Sequence, residues 1–162
     1  MKRIIVIGCP GSGKSTFSKA LHDKTGLPLY HLDSMYWNAD KTTVEKAVFI
    51  ERLSLALAGD AWIVDGNYAS TMEMRMQRCD TVVFLDYPLD VCLDGITQRH
   101  GKPRSDMPWV ETEPCDEEFL TFIKQYNTQS RPQVMKLLQQ YSHKKILVFH
   151  NRQDASNFLN QL

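Results

Sequence analysis

Residues 8 to 15 read Gly8-Cys9-Pro10-Gly11-Ser12-Gly13-Lys14-Ser15 and fit the pattern G-x-x-x-x-G-K-[ST]. The β-branched run Arg3 to Ile7 precedes this octet, and the helix-like pattern Lys14 to Lys24 follows it. A chain with this order must enter the loop from a strand and leave it on a helix. Its glycines let the backbone curl so that successive N–H groups turn inward, and the new helix N-terminus adds partial positive charge. The expected product is a phosphate cradle built from Gly8, Cys9, Pro10, Gly11, Ser12, Gly13, Lys14, Ser15 and Thr16. Lys14 would reach β- and γ-phosphate oxygens, Ser15 would offer its hydroxyl to Mg²⁺, and Thr16 would flank the α-phosphate. Cys9 and Pro10 occupy variable positions that shape the loop.

Four further short β-branched or apolar runs, Leu29 to Leu32, Ala61 to Val64, Thr81 to Leu85 and Lys145 to Phe149, alternate with helix-like segments. Those segments are Thr43 to Ala58, Ser70 to Arg78, Leu89 to Arg99, Glu117 to Tyr141 and Asp154 to Leu162. The alternation predicts an α/β fold, with five parallel strands between helix layers. The strand runs are apolar at nearly every position, as burial on both faces requires. His100 to Cys115 breaks the pattern with Pro103, Pro108 and Pro114 and reads as a mobile insertion.

Ligands of open parallel sheets lie beyond the carboxyl ends of the strands. Two aspartates fall there, Asp33 in His31-Leu32-Asp33 and Asp65 in Ile63-Val64-Asp65-Gly66. Asp33 is positioned to orient or deprotonate an acceptor hydroxyl, and Asp65 to hold Mg²⁺ through water. At this stage the two roles are interchangeable.

The 162 residues, 43% of them hydrophobic, suffice for one domain with its own core. Nineteen basic residues balance nineteen acidic ones, which gives no field to attract nucleic acid or anionic membrane. The cysteines Cys9, Cys79, Cys92 and Cys115 form neither a CxxC pair nor a zinc cluster and read as reduced thiols. With no apolar run near spanning length and no signal-peptide pattern, the expectation is a cytoplasmic, soluble protein.

The loop, Asp65-Gly66 and Phe84-Leu85-Asp86-Tyr87-Pro88 together resemble the adenylate-kinase-like P-loop kinases over nearly the whole chain. His31-Leu32-Asp33-Ser34-Met35-Tyr36-Trp37 and Trp62-Ile63-Val64-Asp65-Gly66-Asn67-Tyr68 narrow this to a resemblance to the topology modulation proteins. The resemblance implies a three-layer fold with sheet order 2-3-1-4-5, a single domain spanning 1–162, an acceptor-side segment at 34–60 and a lid at 100–116. By position it implies a magnesium-side role for Asp65, and Arg99 and Arg131 as catalytic arginines that neutralise the transferred group as the lid closes. Arg152 would stack on or flank the nucleoside base.

Two departures from that family pattern bear on the acceptor. The stretch after strand three reads Asp65-Gly66-Asn67-Tyr68-Ala69, without the arginine that usually grips an acceptor phosphate, and Gly95 stands where relatives often carry another. Aromatic and neutral residues take that place, so Tyr36, Trp37, Asn67 and Tyr68 join Asp33 as candidate acceptor contacts. Arg75 is the one candidate anion contact among them. The implied activity is transfer of the γ-phosphoryl of ATP or GTP, with Mg²⁺, to a nucleoside, nucleotide or hydroxylated metabolite. A nucleotide-dependent regulatory ATPase is the alternative, and a DNA-acting protein has no basic run to support it. The sequence leaves acceptor, donor base and oligomeric state open.

Overall fold

The computed structural model describes residues 1–162. The strands are β1 (Arg3–Gly8), β2 (Leu29–His31), β3 (Trp62–Asp65), β4 (Thr81–Leu85) and β5 (Lys145–Phe149). They form one sheet in the order β2-β3-β1-β4-β5 with every pairing parallel. Fold class and strand order match the sequence expectation. The two-faced burial inferred from composition is explicit at the centre, where Ile4 to Ile7, Trp62 to Val64 and Val82 to Phe84 are fully buried.

Alternation along β1 divides the core in two. Ile5 and Ile7 face a cluster with Phe49, Leu53, Met72, Met76, Val134 and Leu138, carried by α3 (Lys46–Leu57), α4 (Ala69–Arg78) and α7 (Arg131–Gln140). Ile4 and Val6 face the opposite cluster. There Phe17 and Leu21 come from α1 (Lys14–Thr25), and Cys92 and Ile96 from α5 (Leu89–Arg99). Ile123 and Tyr126 come from α6 (Glu117–Gln129), and Ala155 from α8 (Arg152–Asn160).

Two secondary-structure elements depart from the sequence reading. The single helix expected over Glu117 to Tyr141 is two, α6 and α7, separated at Ser130. Pro132 lacks an N–H and its ring excludes a preceding helical turn, so it is accommodated in the first turn of a new helix. The strand expected over Leu29 to Leu32 ends at His31 and passes directly into a five-residue helix, α2 (Leu32–Tyr36). Asp33 therefore stands on the first turn of α2.

Register places the chemistry. Val6 lies opposite Asp65, His31 opposite Asp65, and Gly8 opposite Leu85. The ends of β1, β2 and β3 thus open on one crevice at the carboxyl edge, where neighbouring connections diverge to opposite faces.

Candidate functional site

The loop between β1 and α1 has the shape its composition requires. Gly11 has φ 84°, and a Cβ there would stand 2.0 Å from the Cys92 carbonyl oxygen. Only glycine fits so close an approach to α5. Gly95 completes the same contact, since a Cβ on it would stand 2.0 Å from the Gly11 carbonyl oxygen. This accounts for the missing arginine at position 95: α5 lies too near the loop for any side chain.

Lys14 Nζ donates to the carbonyls of Gly8 (3.0 Å) and Cys9 (3.3 Å), so the ammonium is held inside the curl. Burial pulls its pKa below the ordinary lysine range, against the opposing pull of the Asp33 and Asp65 carboxylates. Ser12 Oγ is buried without a partner. A desolvated cation beside an unpaired hydroxyl and a helix N-terminus suits an incoming anion. Cys9 contributes only backbone, because its side chain is packed in the core beside Cys92. Arg152 Nη2 donates to the Gly11 carbonyl at 3.3 Å, and its guanidinium lies 5.7 Å from the Tyr87 ring centre. Thr16 and Arg152 both line the cleft.

A cleft of about 720 Å³ separates this loop from the opposite wall of Asp33, Tyr36, Trp37, Asp65, Asn67 and Tyr68. Tyr68 OH donates to Asp33 Oδ1 at 2.6 Å. Burial raises the Asp33 pKa above the usual carboxylate range, although the Tyr68 hydroxyl and the Lys14 charge pull the other way. Asn67 Oδ1 accepts from the Gly8 N–H at 3.2 Å, tying this wall to the loop. Asp65, only 3% exposed, meets His31 Nδ1 at 2.8 Å. Burial opposes charge on His31, but hydrogen bonding and attraction from Asp65 outweigh it and hold the imidazole above its ordinary pKa.

Arg75 does not line the cleft. It is fully buried and donates to the carbonyls of Gly66 (2.9 Å), Asn67 and Tyr68 (3.3 Å). Burial lowers its pKa to about 10, so it remains a cation at neutral pH. Tyr68 needs such support, because its φ of 36° is in the left-handed region that non-glycine residues avoid. Arg131 also lies off the cleft wall. Its Nε and Nη2 hold both oxygens of Asp86 at 2.8 Å, and His150 Nδ1 stands 3.5 Å from the same carboxylate.

The segment 100–116 supplies residues that no motif marked. Asp106 is 5% exposed, and its Oδ2 accepts from Ser15 Oγ at 2.7 Å. Arg104 holds both Asp106 oxygens (2.9 and 3.0 Å) and reaches Glu111 at 3.1 Å, while Arg99 Nε lies 3.5 Å from Glu111. The Asp106 carbonyl accepts from Ser34 Oγ at 2.9 Å, and Trp109 meets Trp37 edge-on at 5.5 Å. The only advance signal was an arginine and an aspartate inside a proline-rich stretch.

The Ser15 hydroxyl and the Asp65 carboxylate are both oxygen donors lining the cleft. No cluster of three or more potential ligands from His, Cys, Asp and Glu comes together. Magnesium suits such a partial set, since it takes one or two carboxylates and completes its shell with water and phosphate oxygens. No helix is long and apolar enough to cross a membrane.

No family model and no curated protein matches the chain. Solved structures do. Shikimate kinase from Bacteroides thetaiotaomicron superposes with a TM-score of 0.61 at 23% identity, covering 99% of this chain and 95% of that one. Shikimate kinase from Acinetobacter baumannii, in complex with shikimate, gives 0.65 at 16%, covering 99% and 90%. Shikimate kinase from Aquifex aeolicus gives 0.55 at 17%, covering 98% and 92%. The chain shares the fold of these shikimate kinases over essentially its full length.

Proposed function

We propose that the chain is a P-loop phosphotransferase that moves the γ-phosphoryl group of Mg·ATP, or of GTP, onto a hydroxyl of a small metabolite. The observation that carries this reading is the facing of Lys14 and Ser15 against Asp33 across one cleft, in a fold otherwise seen here in metabolite kinases. The backbone of Gly8 to Thr16 binds donor phosphates, Lys14 neutralises the transferred group, and Arg152 flanks the nucleoside. Bound magnesium would supply charge neutralisation and in-line geometry, held from the protein by Ser15 and Asp65. Asp33 takes or orients the acceptor proton, with Tyr68 fixing its carboxylate. Tyr36, Trp37 and Asn67 frame the acceptor beside it. Arg75 acts behind this wall as a positioning residue.

The segment 100–116 serves as the lid, bringing Arg99 and Arg104 over the transferred group and excluding water. Arg131, held by Asp86, would need to leave that pair to join them. The segments that resemble the topology modulation proteins build the acceptor wall, and on this reading that group shares a kinase site. Four unpaired cysteines fit a reducing, cytoplasmic setting.

Two tests arise here. Asp33→Asn should lower the transfer rate about 10²- to 10⁴-fold with donor affinity nearly intact. A large loss of ATP affinity would instead assign Asp33 to the metal. Because the Asp33 pKa is raised and the base must be ionised, kcat/KM should fall as pH drops through a value above the usual carboxylate range. The Asn variant should lack that limb. Asp106 holds the Ser15 hydroxyl, so a metal-bound triphosphate must displace it. Asp106→Ala is expected to tighten Mg·ATP binding about tenfold by calorimetry, and weaker binding would make Asp106 a metal-side ligand.

A further inference from the structure

Asp106 engages the two sides of the cleft at once. Its carboxylate meets the donor loop at Ser15, and its main-chain carbonyl accepts from Ser34 on α2, the helix that also carries Asp33 and Tyr36. The carboxylate is nearly closed to solvent and uses both oxygens. Oδ2 takes Ser15 Oγ at 2.7 Å and Arg104 Nη2 at 3.0 Å, while Oδ1 takes Arg104 Nε at 2.9 Å. Burial opposes charge there, but the hydrogen bonds and charge of Arg104 outweigh it and hold the acid below its ordinary pKa. An anion thus rests on the first turn of α1, where the helix end and its free N–H groups attract phosphate.

The segment that carries this anion is fastened at its own ends and to α2. Gly101 N–H donates to the Glu111 carbonyl at 2.7 Å, and Arg104 Nη1 reaches the Glu111 carboxylate at 3.1 Å, so both ends of the segment are joined. Ser34 Oγ holds the Asp106 carbonyl at 2.9 Å, and Trp109 meets Trp37 edge-on at 5.5 Å. Trp37 lines the cleft, whereas neither Ser34 nor Trp109 does. These two contacts therefore act on the donor loop only through the segment they hold down.

We infer that Asp106 is an internal plug of the donor loop, kept in place by the grip of α2 on the 100–116 segment through Ser34 and Trp37. The inference rests on the phosphotransferase reading above and adds regulation to it. Release of the segment from α2 raises affinity for the chelated triphosphate. An acceptor that parts Trp109 from Trp37 loosens the plug, and by reciprocity bound nucleotide eases acceptor entry. The donor loop thereby stays shielded until the acceptor side is engaged.

The test titrates the full chain with Mg·ATP by calorimetry and needs no acceptor. Ser34→Ala and Trp109→Leu, each shown folded by circular dichroism, should each lower the Kd about threefold to tenfold. In an Asp106→Ala background, where the plug is already gone, adding Ser34→Ala should change the Kd less than about twofold. Trp109→Leu gives the same reading through the other contact should Ser34→Ala fold poorly. A Kd unchanged or raised in Ser34→Ala or Asp106→Ala, or a gain from Ser34→Ala that persists in full on top of Asp106→Ala, overturns the inference and leaves the kinase reading standing. No binding of Mg·ATP by wild type or by folded Asp106→Ala overturns both.

Discussion

Lys14→Ala is expected to reduce phosphoryl transfer about 10²- to 10³-fold and to weaken triphosphate binding, measured as acceptor-dependent ADP release and by calorimetry. The Lys14 ammonium sits inside the loop's curl on the Gly8 and Cys9 carbonyls, with a pKa pulled down by burial. It is thereby preorganised, so a phosphoryl group entering the curl gains a cation without reordering a flexible side chain. Removing it leaves the loop amides in place, which is why binding should weaken and not vanish. Lys14→Arg should not rescue activity, because a planar fork cannot occupy the space of a point charge under two carbonyls. Unchanged turnover in the Ala variant would move the donor site elsewhere.

Arg75→Met should cost about 3–5 kcal/mol of stability, read as a lowered urea midpoint with little change in slope. The guanidinium is fully buried and is the partner of the Gly66, Asn67 and Tyr68 carbonyls, which methionine cannot satisfy. The same change releases Tyr68 from its left-handed conformation and so frees Asp33 from the Tyr68 hydroxyl. Loss of stability should therefore be accompanied by a weaker acceptor interaction, with donor affinity largely kept. Arg75→Lys keeps one charge and fewer hydrogen bonds, and should fall between the two. If the Met variant unfolded at the wild-type midpoint, the buried guanidinium would not be what holds the acceptor wall.

How far the site could be read in advance depended on how local each interaction is. Gly8 to Ser15 was legible because strand, loop and helix are contiguous and each position has a stereochemical reason. The sheet order came through the family resemblance carried by the loop and strand-end segments, and the buried strands were visible as β-branched runs. Arg75 stood as a candidate anion contact because it lies on the helix that follows Asp65-Gly66-Asn67-Tyr68. Only the tertiary fold shows it turned inward onto β3-end carbonyls. Arg131 was assigned to the cleft by position alone, and its partner Asp86 lies 45 residues away in sequence. His31, Asp106 and Glu111 were missed because each meets a partner from another element, Asp65, Ser15 and Arg99 in turn. The break before α7 was different: Pro132 announced it, and the apolar periodicity running through to Leu138 masked the signal.

The central claim is that the curl from Gly8 to Lys14 encloses the phosphates of a magnesium-chelated nucleoside triphosphate. Calorimetric titration of the full chain with Mg·ATP and Mg·GTP tests it without knowledge of the acceptor. The account predicts one site per chain with a Kd of about 1 µM to 1 mM for at least one of them, weakened by Lys14→Ala. Absence of binding to either nucleotide in folded protein, or binding indifferent to Lys14, would contradict it.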